Sequence, residues 1–160
     1  HHREPGLAGA ALADPGLSAE VIADGVHIHP SVLRILWHLK ADGLILVTDA
    51  VAPAGMPDGN YGFAGQKITV RRGEARLPGG TLAGSTLTMD RAVRTMVQQA
   101  GVPLPQAVAM ASTNPARVLG LDHRKGRIEE GYDADLVLLD QDLRPRLVMV
   151  EGEIVPRENG

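Results

Sequence analysis

The sequence predicts an α/β fold, with parallel strands buried on both faces and an accessory β-structure beside them. Three observations predict it. Leu44-Ile45-Leu46-Val47 is apolar without a break and then meets Thr48 and Asp49. Such a run, bounded by polar residues, suits a strand covered on both sides, as in a parallel sheet. A strand pattern, a helical pattern and this second strand follow one another within about thirty residues, the length of a βαβ unit. The last part of the chain changes to short strands separated by glycine turns. With 160 residues, the chain suffices for one ordinary domain but not for a complete (β/α)₈ barrel, which needs roughly 250.

In chain order, Leu7 to Leu12 is small and apolar and leads to a turn at Asp14-Pro15-Gly16. Glu20 to Ala23 reads as a short strand ending in Asp24-Gly25-Val26-His27-Ile28-His29-Pro30. Pro30 suits a first helical turn, and Val32, Ile35, Leu36 and Leu39 follow at helical spacing. Asp42-Gly43 stops that helix ahead of the Leu44 strand. The stretch from Gly55 to Asn60 is rich in turn residues. Gln66 to Arg71 alternates around Ile68 and Val70, Arg72-Gly73-Glu74 turns, and Ala75 to Leu77 returns as a hairpin. Gly79 to Thr86 is rich in glycine and hydroxyls. It runs into a helix with the apolar face Met89, Ala92, Val93, Met96, Val97 and Ala100, which Thr88 can cap and Gly101 can end. Pro105 to Ala111 and Pro115 to Leu119 read as short helices, with Asn114 as the cap of the second. Ala134 to Leu139, Leu147 to Val150 and Glu153 to Val155 read as strands. They are expected to pair with the earlier β-strands in one accessory sheet.

Composition narrows the function classes. Hydrophobic residues make up 44% of the chain and aromatics 2%, so the core is aliphatic and stacking platforms for single-stranded nucleic acid are scarce. A net charge of −3 gives no basic surface for nucleic acid or anionic lipid. There is no cysteine, hence no disulfide framework and no thiolate metal site, which fits a cytoplasmic setting. No apolar run approaches the roughly 18 residues of a membrane span.

Asp49 is the first candidate for chemistry. A carboxylate at the carboxyl end of a buried parallel strand sits where α/β barrels keep their active sites. The competing reading is an Asp that starts the turn Val51-Ala52-Pro53-Ala54-Gly55. His27 follows the other strand, and in a parallel pair both residues open into one mouth. His27 can donate a hydrogen bond or ligate a metal, or it can be a structural histidine. His29 completes a His-x-His spacing, but Pro30 follows at once and ends the strand, which disfavours a metal pair. His38 and His123 read as surface residues, and so does Arg3 beside Glu4. The Gly79 to Thr86 loop is not a Walker A, since the Gly-Lys-Ser/Thr ending is missing. It reads either as a phosphate cradle or as a connection that caps the next helix.

His2-Arg3-Glu4-Pro5-Gly6, Asp24-Gly25-Val26-His27, Leu46-Val47-Thr48-Asp49-Ala50 and Gly80-Thr81-Leu82-Ala83-Gly84-Ser85-Thr86-Leu87-Thr88-Met89 resemble a known family. It is the N-acetylglucosamine-6-phosphate deacetylases of the metal-dependent amidohydrolase superfamily. Asn114-Pro115-Ala116-Arg117 and Gly131-Tyr132-Asp133-Ala134-Asp135-Leu136-Val137 resemble amidohydrolases more widely. The resemblance covers essentially the whole chain. It implies the C-terminal part of an amidohydrolase-type (β/α)₈ barrel plus a small β-sandwich-like domain. Residues 1–54 would be the last part of the barrel with its two final strands. Residues 55–125 would be the accessory hairpin, substrate loop and helices, and residues 126–160 the strands of the small domain. The implied reaction is hydrolysis of the acetamide of N-acetylglucosamine 6-phosphate to glucosamine 6-phosphate and acetate.

In that family's terms Asp49 is the proton shuttle. Arg3, Asp24, Gly25, Val26, His27, Leu82, Ala83 and Gly84 match substrate-binding positions, with Arg3 on the phosphate across a homodimer interface. The implied cofactor is a divalent metal, zinc or iron. Its ligands in the family, a Glu and two His, lie upstream of the matching region, and His1 and His2 do not take their places. The expectation is therefore an enzyme fragment with a small-molecule substrate and no metal ligands of its own. Two rivals stand beside it: another amidohydrolase acting on a different amide, and a non-catalytic fragment that only associates.

Overall fold

The structure is a computed structural model, and it describes residues 3–63 and 65–156, with only the backbone of Phe63. His1 and His2 lie outside the described residues. The central unit is a parallel pair, β1 (Ala19–Ile22) and β2 (Leu44–Val47), joined by helix α2 (Pro30–Lys40) and one 3₁₀ turn, Ala41–Gly43. The register runs from Ala19 opposite Leu44 to Ile22 opposite Val47. Leu44, Ile45 and Leu46 are all buried, as a strand covered on both faces requires. Helices α3 (Met89–Gln98), α4 (Leu104–Ala111) and α5 (Thr113–Val118) pack against β2. One cluster that includes Val21, Leu33, Leu46, Ala92, Met96 and Met110 forms the main core.

The α3 face is as the spacing predicts: Ala92, Val93 and Met96 are buried, and the helix ends ahead of buried Ala100. Thr88 takes the N-cap position, yet its side chain makes no capping bond to the backbone. It bonds the Asp90 carboxylate instead. The α2 face departs from expectation. Leu33 and Lys40 are buried, whereas Val32, Ile35 and Leu39 of the predicted stripe are 44%, 56% and 60% exposed. The helix has turned so that Leu33, Leu36 and Trp37 meet the core. Lys40 is drawn inward because its ammonium donates to the Asp14 carbonyl at 2.6 Å, closing the end of helix α1 (Gly6–Ala13). Helix α1 occupies the small apolar stretch and buries none of its own residues.

The β-strands outside the central pair do not form the single accessory sheet expected of them. Strands β3 (Gly59–Phe63), β4 (Gln66–Arg71) and β5 (Glu74–Arg76) form one antiparallel sheet. Strands β6 (Leu136–Leu139), β7 (Pro145–Val150) and β8 (Glu153–Ile154) form another. The first sheet has its own small core of Ile68, Val70 and Ala75, to which Val51 and Ala83 also belong. That shared core ties the hairpin to the segment after β2. The loop before β6 is held by Arg124 and Lys125 on Asp133, with Lys125 also on Asp135. These pairs are exposed and contribute little to stability.

Asn114 is corrected in its role. It lies within α5 rather than capping it, and Ser112 precedes the helix. Its buried amide donates to the Leu44 carbonyl at 2.8 Å, at the start of β2.

Candidate functional site

Asp24 and Asp49 each stand two residues beyond the end of a strand, and those ends, Ile22 and Val47, are paired in register. The parallel pair therefore delivers both carboxylates to the same edge, which is where α/β folds collect chemistry. The two are held differently. Asp24 is almost covered and folds back on its own loop. Its Oδ1 accepts the Val26 and His27 backbone N–H groups at 2.9 and 2.8 Å, and its Oδ2 meets His27 Nδ1 at 2.7 Å. Burial works to raise the Asp24 pKa, but the backbone and ring bonds from His27 and the bond from Val26 outweigh it. The carboxyl is held below its ordinary value. With Nδ1–H given to Asp24, His27 Nε2 is the ring nitrogen left to meet a ligand. Gly25 supplies the left-handed φ of 78° that lets this loop close.

Asp49 is exposed and sits at φ 48°, a left-handed conformation that Asp tolerates better than most residues. The glycine-rich loop lies against its backbone. The Ser85 N–H donates to the Asp49 carbonyl at 2.8 Å, and the Val51 N–H donates to the Ser85 carbonyl at 2.9 Å. Ala50 and Ser85 form a parallel bridge. Gly84, at φ 66°, passes so close that a Cβ there would stand 2.8 Å from the Asp49 carbonyl oxygen and 2.7 Å from Val51 Cγ1. Leu82 bridges to Arg76, and Ala83 is buried with its N–H on the Ala75 carbonyl. The loop is laced between the hairpin and the end of β2.

Of the residues singled out by sequence, Asp24, Gly25, Val26 and His27 form one bonded loop. Asp49 with Gly84 and its neighbours Leu82 and Ala83 form a second, beside it along the same edge. Arg3 is exposed in the turn ahead of α1. His29 caps α2, its Nδ1 accepting from the Ser31 N–H at 3.2 Å, so it does not pair with His27 on a strand. Sequence reasoning missed Ser85, which looked like one hydroxyl among several in a loop. A groove of about 790 Å³ runs elsewhere, between α3 to α5 and the β6–β7 sheet, with Val93, Val108, Leu121 and Val148 among its walls.

The divalent metal implied by the resemblance does not fit the residues at hand. Among the described residues, no three His, Cys, Asp or Glu side chains come together to hold an ion. The Asp24 carboxylate is also taken up by the His27 ring and by the Val26 and His27 backbone N–H groups.

The amidohydrolase family profile matches residues 6–155. A protein of Escherichia coli K12, provisionally named an N-acetylgalactosamine-6-phosphate deacetylase, is 42% identical over 154 residues, which cover 96% of this chain and 92% of that one. The N-acetylglucosamine-6-phosphate deacetylase of Bacillus subtilis is 42% identical over 155 residues, covering 96% of this chain but 39% of its own length. A variant of the Mycobacterium smegmatis N-acetyl-D-glucosamine-6-phosphate deacetylase, solved with N-acetyl-D-glucosamine-6-phosphate, superposes with a TM-score of 0.90. It is 41% identical, with 96% of this chain and 42% of that one covered. The chain thus spans about two fifths of the length of these two deacetylases. Its mixed α/β architecture covers the corresponding part of the Mycobacterium smegmatis structure. By sequence and by fold, the chain belongs to the amidohydrolase family, alongside its N-acetylglucosamine-6-phosphate and N-acetylgalactosamine-6-phosphate deacetylases.

Proposed function

We propose that the chain carries the proton-transfer side and part of the sugar-binding side of an N-acetylglucosamine-6-phosphate deacetylase. The reaction is hydrolysis of the acetamide to glucosamine 6-phosphate and acetate. The observation that carries this reading is the meeting, at one edge of the parallel pair, of exposed Asp49, the Asp24–His27 pair and the Leu82–Gly84 loop. Asp49, as a carboxylate, takes the proton of the attacking water and later passes it to the leaving amine. His27, oriented by Asp24, offers Nε2 to the substrate. Gly25 and Val26 shape that side of the mouth, and Leu82, Ala83 and Gly84 line the sugar. Arg3 takes the phosphate, reaching a neighbouring subunit's site in a homodimer. Residues 1–54 are assigned to the barrel, 55–125 to the hairpin, substrate loop and helices, and 126–160 to the small β-domain. The zinc or iron is assigned to residues outside these 160, and the setting is cytoplasmic.

The test places residues 1–160 in the position of the matching segment of the Bacillus subtilis deacetylase. That chimera should release acetate from N-acetylglucosamine 6-phosphate, while the 160-residue chain alone binds no stoichiometric metal and releases none. Asp49→Asn in the chimera should lower turnover by about 10²–10⁴-fold, the usual share of a general acid–base group, with metal content unchanged. Turnover within tenfold of the parent would remove Asp49 from the chemistry. Assaying the galacto epimer beside the gluco sugar tests the reading that the Escherichia coli K12 relative suggests. Assaying both without phosphate separates a sugar-phosphate enzyme from an amidohydrolase acting on another amide.

A further inference from the structure

We infer that Ser85 is a positioning residue for Asp49, setting the direction of its carboxylate through the backbone. The inference deepens the proposed role of Asp49 and rests on it for its catalytic meaning. Ser85 is 2% exposed, and its backbone N–H, its carbonyl and its hydroxyl are all committed to the segment after β2. The hydroxyl donates to the Thr48 carbonyl. The N–H donates to the Asp49 carbonyl, and the carbonyl accepts from Val51. The peptides on both sides of Asp49 Cα are therefore fixed by one residue, and those peptides determine where its Cα–Cβ bond points. The hydroxyl also accepts the Leu87 N–H at 3.0 Å, so it is anchored from the α3 side.

A left-handed non-glycine residue persists only where its surroundings over-determine it. Here Ser85 supplies the hydrogen bonds, and Gly84 supplies the room, since any side chain at 84 would strike the Asp49 carbonyl oxygen. The loop that lines the proposed sugar site and the proposed proton shuttle are thereby one mechanical piece. Asp49 is itself exposed, so these backbone bonds are its main restraint.

The first test uses the 160-residue chain itself. The Ser85 and Val51 amides should resist hydrogen exchange as strongly as the β2 amides. Fast exchange at both, with β2 protected, overturns the inference without any variant. In a crystal structure of Ser85→Ala, Asp49 should leave the left-handed region; an unchanged Asp49 overturns it too.

The second test uses the chimera. Ser85→Ala should lower kcat by about ten- to a hundredfold, as expected for a reacting group displaced by an ångström or less, with KM for the sugar phosphate nearly unchanged. Ser85→Thr, which keeps the hydroxyl, should recover most of that loss. In an Asp49→Asn background Ser85→Ala should cost nothing further; a full additional loss means that Ser85 acts by another route and overturns the inference. Where Ser85→Ala does not fold, hydrogen exchange at the Ser85 and Val51 amides of the parent chain decides alone. If Asp49→Asn leaves turnover unchanged, the catalytic reading of Asp49 fails, and hydrogen exchange with the Asp49 geometry decides the role of Ser85 by itself.

Discussion

Asp24 stores its interactions in the ionised form. Burial penalises that form, and three hydrogen bonds from Val26 and His27 more than offset the penalty, so the folded carboxyl is the stronger acid. A carboxyl whose pKa is depressed on folding contributes stability above its unfolded value and loses it as pH falls through its folded value. Asp24→Asn should therefore lower the urea midpoint at neutral pH, and the gap from the parent should begin to narrow below about pH 4, where the unfolded-state carboxyl protonates, and go on narrowing as pH falls through the lower folded value. Midpoints at pH 7 and pH 3 check this, and a constant gap would mean that the charge of Asp24 is not what folding uses. Arg3 belongs to the same scale. A guanidinium can hold a phosphate through paired charge-assisted bonds of roughly 1.5–3 kcal/mol each. Arg3→Ala in the chimera should then reduce kcat/KM for the 6-phosphate by about tenfold to a hundredfold or more, mainly through KM. The unphosphorylated sugar should hardly respond. Equal losses on both sugars would make Arg3 a support of the fold.

At the level of elements, the sequence was legible where a period met a partner. The Leu44 strand follows from its unbroken apolar run, covered on both faces, and the α3 face and the β4–β5 hairpin follow from apolar spacing, because each of these two has one side turned to a core. Strand β3, Gly-Asn-Tyr-Gly-Phe, was not legible, since two glycines erase the alternation and its pairing with β4 alone makes it a strand. The α2 stripe misled because helical spacing predicts a face but not what covers it; Leu33 and Trp37 meet the core while Ile35 does not. For the candidate site, the strand-end rule points to Asp49 and His27, whose loops the structure brings to one edge of the parallel pair, but the bonds from Ser85 to the Asp49 backbone are long-range and leave no local pattern. Asn114 is the sharpest case. As a cap it would tolerate Asp, because Asn and Asp cap about equally well. As the donor to the Leu44 carbonyl it cannot, because an ionised Asp has no proton to give. Asn114→Ala should cost about 1–3 kcal/mol through the buried carbonyl it deserts, and Asn114→Asp at least as much. Chemical denaturation of both variants decides between the two roles.

The whole molecule exposes surfaces that its elements do not cover. Among the described residues, β1 and β2 have only each other as strand neighbours, so each presents an outer edge with no strand beside it. Val32, Ile35 and Leu39 stand out along α2, and Val137 and Leu138 of β6 and Ile154 of β8 are more than half exposed. Unpaired edges beside apolar faces are templates for association. No helix among the described residues is long and apolar enough to cross a membrane. The 160-residue chain by itself should therefore associate, and more so as its concentration rises. Sedimentation across a hundredfold concentration range should show a growing weight-average mass. Ile35→Lys with Leu39→Lys should reduce that growth without lowering the urea midpoint, because both side chains already face water. If the exposed α2 face instead supports the fold of its own chain, the double variant should unfold more easily and the mass should not change. A monomer at every concentration, with cooperative unfolding, would mean that exposed apolar faces of this extent are tolerated in water and that the parallel pair needs no further strands.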